Sequence, residues 1–328
     1  MSELQRNILK AKLPPRMLAP FGGSRRKDYT PVSWKQYFAK YEDVETSGGT
    51  FRVYLSAEPD LPDRPRIVTL HGGGYSALSW ALFTEEITSL VHCQVISMDI
   101  RGHGETKVTN PDDLSSDTLV NDLEEVLLAM FPSLPPLVLV GHSMGGAVAV
   151  RGAHGERIQH AVQGVAVIDV VEVFHALVKF LYFTISSNGQ VRNVDSARVS
   201  MPGQIIKQWG RPGPDSDDIV LRYKWRIDLS GTEQHWAGWF RGLSALFLST
   251  RAPRLLLLAS IDGLDTQLTL GQMQGKFEFR LLPRCGHAVQ EDSPGEVAQV
   301  LSAFLMRHQL THSVGGAPQF SALSLPHY

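Results

Sequence analysis

A serine framed by glycines is the most chemically suggestive feature of the chain: Gly141-His142-Ser143-Met144-Gly145 directly follows the apolar run 137–140. The spacing matches G-x-S-x-G, in which the chain turns sharply from strand to helix and holds a nucleophilic hydroxyl in a strained conformation. Small residues are needed on both sides because larger side chains would collide where strand and helix meet. Ester hydrolysis by serine also needs a base for the hydroxyl proton, a group to orient that base, and donors for the tetrahedral oxyanion.

His287 is the candidate base. It lies in Pro283-Arg-Cys-Gly-His287, just after the predicted strand 277–282, where a loop can bring an imidazole over the serine. Among the 12 histidines, His142 adjoins the nucleophile and is given a packing role, because a neighbouring side chain points elsewhere on the elbow. His103, in a glycine-rich loop, is expected to order that loop. Position leaves two regions open for the orienting acid: Asp169, which ends the run 165–168, and the pair Asp262 and Asp265, which follow the run 255–259. All three keep the chain order Ser, Asp, His.

His71-Gly72-Gly73-Gly74 follows the run 67–70 and resembles the oxyanion loop of lipases and esterases. The candidate backbone donors are Gly73, Gly74 and Met144, the last at the start of a helix. Neither 71–74 nor 141–146 fits G-x-G-x-x-G or a P-loop with its lysine, so both nucleotide readings are discarded. Cys285, two residues from His287, is read as a buried thiol rather than a nucleophile.

These groups need a frame, and the chain supplies an α/β one. Short apolar runs at 67–70, 95–98, 137–140, 165–168, 255–259 and 277–282 suit parallel strands covered on both faces. Leu119, Leu123, Val126, Leu127 and Met130 fall at helical spacing before Pro132, and Val297, Val300, Leu301, Phe304 and Leu305 do so after Pro294. The alternation predicts a doubly wound, mostly parallel sheet. Phe51, Val53 and Leu55 alternate like an antiparallel edge strand. From about 170 to 248 the rhythm fails and aromatics accumulate, including Phe174, Phe180, Tyr182, Phe183, Trp209, Trp225, Trp236, Trp239 and Phe240. This stretch is read as a helical cap inserted over the strand ends, with 211–218 as a flexible turn or disordered loop.

The expected organisation is a basic, partly ordered arm over 1–40, a single domain over 41–310 with the cap insertion, and a tail over 311–328. The arm carries nine Lys or Arg against two acids. A chain of 328 residues, 43% hydrophobic and 20% charged, can bury one large core, and a net charge of -2 gives no reason to expect nucleic acid as a partner. The arm lacks the apolar core of a secretory signal, so an intracellular protein, in cytoplasm and/or nucleus, is expected. Cys93 and Cys285 are too few for a disulfide framework and unsuited to a zinc site. The most apolar region, 162–185, is interrupted by Asp169, Glu172, His175 and Lys179, which argues against a membrane span.

Taken together, His71-Gly-Gly-Gly74, Asp99-Ile-Arg-Gly-His-Gly104, Gly141-His-Ser-Met-Gly-Gly146 and Gly286-His287 resemble the α/β-hydrolase superfamily over nearly the whole chain. More specific segments resemble the protein phosphatase methylesterase family: Pro31-Val-Ser-Trp-Lys-Gln-Tyr-Phe38, Ser76-Ala-Leu-Ser-Trp80, Ile168-Asp-Val-Val-Glu172, Ser196-Ala-Arg-Val-Ser-Met201, Trp239-Phe-Arg-Gly-Leu-Ser244, Gly271-Gln-Met-Gln-Gly-Lys-Phe277 and Cys285-Gly-His-Ala-Val289. The resemblance implies an α/β-hydrolase fold with a helical cap and a serine carboxylesterase that removes the methyl ester from the C-terminal leucine of the protein phosphatase 2A catalytic subunit, releasing methanol. It selects Asp169 as the acid, because the family places its acid in the segment that stands here as 168–172. It implies no metal or organic cofactor, and the phosphatase 2A catalytic subunit with its methylated tail as partner.

The cap would supply the peptide groove, with Met201, Trp239 and Phe240 as candidate apolar contacts, although core packing is the preferred reading of each. The chain departs from the family in one respect: members often carry a long acidic insertion before the segment standing here as Tyr223-Lys-Trp-Arg-Ile227, whereas only a short loop occurs near Asp215 to Asp218. A general small-ester carboxylesterase and a noncatalytic phosphatase-binding protein are the alternative functions.

Overall fold

The computed structural model describes residues 28–59, 63–170, 191–210, 220–261 and 264–315. Its strands are β1 (Lys40–Thr46), β2 (Gly49–Leu55), β3 (Arg66–Leu70), β4 (Gln94–Met98), the short β5 (Lys107–Val108), β6 (Leu137–His142), β7 (Val162–Ile168), β8 (Ile205–Gly210), β9 (Val220–Trp225), β10 (Arg254–Leu258) and β11 (Glu278–Leu281). The main sheet runs β1-β2-β4-β3-β6-β7-β10-β11, with β5 paired onto β2. The pairs β1/β2 and β2/β4 are antiparallel, and from β4/β3 to β10/β11 every pair is parallel.

Continuous apolar runs became strands because both faces of this sheet are covered. Strand side chains alternate, so Val68, Leu70 and Leu139 enter one core while Ile67, Val138 and Val140 enter the other. Helices α1 (Ala81–Leu90), α2 (Ser116–Met130) and α3 (Met144–Gly152) follow in order. The predicted crossover residues Leu119, Leu123, Val126 and Leu127 of α2 pack in the first core together with Ala147 and Val150 of α3. Phe83 and Ile87 of α1 lie in the second.

The strand predicted at Phe51, Val53 and Leu55 exists as β2, but it is not an edge. β1 pairs outside it, and only Val44 of β1 is buried, which explains why hydrophobic patterning did not reveal that strand. The predicted arm also ends earlier than residue 40. Val32 N–H donates to Arg198 O at 3.0 Å, Phe38 is buried, and Trp34 lies edge-on to Tyr41 and Tyr54, so 31–40 is packed structure.

Within the cap, the described parts are α4 (Val194–Gln204), the β8/β9 antiparallel hairpin, α5 (Glu233–Phe240) and α6 (Leu243–Ser249). The helical expectation is therefore corrected: an exposed hairpin interrupts it. Glu172, Phe174, His175, Lys179, Phe180, Tyr182 and Phe183, and the loop 211–218, lie outside the described residues. Helices α7 (Thr266–Met273), α8 (Val289–Asp292) and α9 (Pro294–Arg307) complete the chain. α9 begins on Pro294, whose missing N–H would have no helical partner at that position. Its Val297, Leu301, Phe304 and Leu305 fill the second core.

The first residues of the expected tail are tied down as well. Thr311 Oγ1 donates to His92 O at 2.5 Å, and Ser313 bridges to Val91. Cys93 and Cys285 are free and buried, as the sequence suggested. Among the described residues no helix is long and apolar enough to cross a membrane.

Candidate active site

Ser143 sits between β6 and α3 at φ 52°, ψ -122°, a backbone region that L-residues rarely occupy. Hydrogen bonds hold it there: Ser143 N–H donates to Ile168 O at 3.1 Å, and Gly146 N–H to Ser143 O at 2.8 Å. The flanking glycines have a steric cause. A Cβ on Gly141 would lie 2.1 Å from Gly145 O, and one on Gly145 would lie 2.2 Å from Leu70 O.

Asp169 leaves the sheet beside the serine. The register pairs His142 with Ile168, so the residues that follow, Ser143 and Asp169, emerge at the same level from adjacent strands. Asp169 too has positive φ, 51°. Its Oδ1 accepts Ala259 N–H at 3.0 Å and its Oδ2 lies 2.7 Å from His287 Nδ1. Burial opposes the carboxylate's charge, but the His287 hydrogen bond and charge and the Ala259 amide outweigh it, holding Asp169 below its ordinary range. This contact keeps the proton on Nδ1 and leaves Nε2 as the basic lone pair. No hydrogen bond joins Ser143 to His287 in this conformation.

His142 supports His287 from behind. Its Nε2–H donates to His287 O at 2.8 Å, and the two rings lie 4.7 Å apart. Complete burial, with His287 adding to it, drives the His142 pKa down to about 3, so the ring stays neutral. Of the acids open by position, Asp265 is engaged elsewhere: it caps α7 by accepting Leu268 N–H at 2.8 Å and it accepts the Ser244 hydroxyl. Asp262 lies outside the described residues.

The glycine loop corrects one expectation. Gly74 N–H donates to His103 Nε2 at 2.9 Å, so it is not free for an oxyanion. His103 Nδ1 in turn faces Arg101 O at 2.8 Å, which fixes the tautomer, and burial lowers its pKa to about 4. His71 repeats the pattern, with Nδ1 facing Gly72 O at 2.8 Å and Nε2 accepting Ile100 N–H at 3.0 Å. Among the described residues the Gly73 and Met144 amides have no hydrogen-bond acceptor, which leaves these two as donors. Leu229 of the cap closes over the loop; its Cδ2 lies 3.6 Å from the point where a Gly73 Cβ would stand.

Trp239 is not available as a groove contact. It is 4% exposed within the first core, and its indole N–H donates to Leu114 O at 2.6 Å. Phe240, half-buried, packs edge-on against it, while Met201 is half-buried on α4. Sequence reasoning missed Glu291 and Asp292. Asp292 Oδ2 accepts Gly286 N–H at 2.7 Å, so it braces the loop that carries His287. The available signal was two consecutive acids a few residues beyond the histidine, following the otherwise uncharged Ala288-Val-Gln290.

The strand order, the strained serine and the His287–Asp169 pair define an α/β-hydrolase. Residues 67–300 match the family model described as the alpha/beta hydrolase family. Solved structures show the same fold: an E-2-(acetamidomethylene)succinate hydrolase (TM-score 0.62, 15% identity, 81% of this chain and 99% of that one) and an esterase of Mycobacterium tuberculosis (TM-score 0.57, 20% identity, 81% and 92%). The chain is 41% identical to protein phosphatase methylesterase 1 of Homo sapiens over 384 residues, covering 96% of this chain and 98% of that protein. It is 37% identical to the probable protein phosphatase methylesterase 1 of Caenorhabditis elegans, covering 99% and 89%. The chain belongs to the protein phosphatase methylesterase family and is a carboxylic ester hydrolase.

Proposed function

We propose that this enzyme removes the methyl ester from the C-terminal leucine of the protein phosphatase 2A catalytic subunit. The observation that carries the reading is the His287–Asp169 contact at 2.7 Å, at the tip of the strand next to the Ser143 elbow, in a chain 41% identical to a named methylesterase over nearly its full length. Ser143 Oγ attacks the ester carbonyl and its proton passes to His287 Nε2. The tetrahedral oxyanion is held by the Gly73 and Met144 amides. The bond to the methoxy oxygen breaks, and methanol departs with the proton from His287. Water, deprotonated by the same nitrogen, then attacks the acyl-serine and releases the leucine carboxylate. Asp169 keeps Nε2 free to receive a proton and stabilises the imidazolium.

A methyl group offers little surface to recognise, so discrimination falls to contacts with the phosphatase itself, including its tail. Met201 and Phe240, both half-buried, are the candidate apolar contacts for that tail, with Phe240 also packed against the first core. Substrate binding closes the Ser143–His287 hydrogen bond, as catalytic hydrogen bonds often tighten only in the substrate complex. The two buried free thiols suit an intracellular setting, cytoplasm and/or nucleus.

The test is methanol release from methylated phosphatase 2A. The expected result is rapid release by the native enzyme and none by Ser143→Ala, which still binds the phosphatase. Equal turnover by Ser143→Ala would sink the reading. Broad hydrolysis of small esters with no preference for the phosphatase would replace it with a general carboxylesterase. Tight binding without fluorophosphonate labelling of Ser143 would make the chain a noncatalytic phosphatase-binding protein.

A further inference from the structure

The base stands two residues ahead of α8, a helix of four residues and too short to hold its own shape. Val289 packs it into the second core, and its two acids tie it to the cap. Glu291, fully buried, accepts the hydroxyls of Ser196 at 2.8 Å and Ser200 at 2.6 Å through one oxygen, Oε2. These serines lie four residues apart, on one face of α4. The next residue, Asp292, accepts Arg192 N–H at 2.6 Å, while Arg192 Nη1 donates to Arg284 O at 3.0 Å. The stretch 284–292, with His287 at its centre, is thus gripped by the cap segment 192–200.

Burying a carboxylate costs several kcal/mol unless hydrogen bonds compensate, and Val289 already packs this short helix into the second core, so the buried Glu291 adds something apolar packing does not. Both side-chain hydrogen bonds of Glu291 go to one element, and that element is the cap helix α4. From this we infer that Glu291 is a positioning residue: with Ser196 and Ser200 it latches α4 to α8, so that the position of the cap sets the position of His287. The inference rests on His287 being the base.

Ser196→Ala/Ser200→Ala removes both donors with little loss of volume, and Glu291→Gln keeps an oxygen able to accept both. Hydrolysis of p-nitrophenyl acetate, the rate of fluorophosphonate labelling of Ser143 and the melting temperature are followed in each. In the double variant, folded at the assay temperature, kcat and the labelling rate should fall on the order of 10- to 100-fold with KM little changed, the effect of a displaced base. Glu291→Gln should stay near the native kcat. Native kcat and labelling in the double variant would overturn the latch, and so would equal losses in the double variant and Glu291→Gln, or a loss explained by unfolding. Equal rates for the native enzyme and Ser143→Ala would be a different failure, removing the serine mechanism on which the latch depends.

Discussion

The amide of Gly74 donates to Nε2 of His103 across 2.9 Å, which turns a residue expected to bind the oxyanion into part of the loop's own support. The tautomer follows from the other nitrogen, which faces Arg101 O. His103 thereby joins the 99–104 turn to the 71–74 loop and sets the height of Gly73, the remaining donor on that side.

Replacing His103 by leucine should therefore weaken both stability and chemistry. The Gly74 N–H and Arg101 C=O would each lose a buried partner, costing about 1–3 kcal/mol apiece where water cannot enter. Thermal melts should show the stability loss, and kcat for a small ester should fall more than KM rises as the Gly73 donor loosens.

Acid should destabilise this fold through its histidines. His103, His142 and His71 all have pKa values lowered by burial, to about 4, about 3 and well below normal respectively. Below the unfolded value near 6.5, the unfolded chain binds more protons than the folded one, so stability drops as pH falls from there towards 4. Asp99 and Glu291, raised by burial to about 6 and about 7, act oppositely in part of that window. Denaturant melts from pH 7 to pH 4 should show a shallower acid limb in His103→Gln by about one proton.

Asp169→Asn should lower kcat by roughly three to four orders of magnitude, because an amide N–H facing Nδ1 favours the tautomer with the proton on Nε2. Asp265→Ala should keep kcat and lose about 1 kcal/mol of stability from the missing α7 cap. Equal kcat losses in the two variants would contradict the pairing of Asp169 with His287.

Trp239→Ala should behave as a core mutation, destabilising by about 3–5 kcal/mol without changing KM in the folded fraction. Phe240→Ala should instead raise KM for the methylated phosphatase while sparing small-ester hydrolysis. Steady-state kinetics beside calorimetry separates the two effects.

Much of this architecture was legible because the central strands are buried on both faces and so read as unbroken apolar runs, from Ile67 to Leu258, whereas the edge strand β11 carries Glu278 and Arg280 and is not buried. Ser143 and His287 were legible from glycine spacing and chain order. β1 was not, since its Lys-Tyr-Glu-Asp-Val-Glu-Thr sequence exposes most of its side chains. The acid could not be chosen by position, because strand tips at both Asp169 and Asp265 suit it; the choice needed the family likeness, and only tertiary contacts show Asp265 capping a helix. The fate of the Gly74 amide depended on a histidine 29 residues away, beyond any local pattern.

The place of Asp169 at the tip of β7 also defines what the neighbouring strand must supply. What the end of β10 supplies to Asp169 is the backbone N–H of Ala259. A backbone donor is indifferent to the side chain that hangs beside it. The side chain at position 259 can therefore change while its N–H keeps the tie to Asp169.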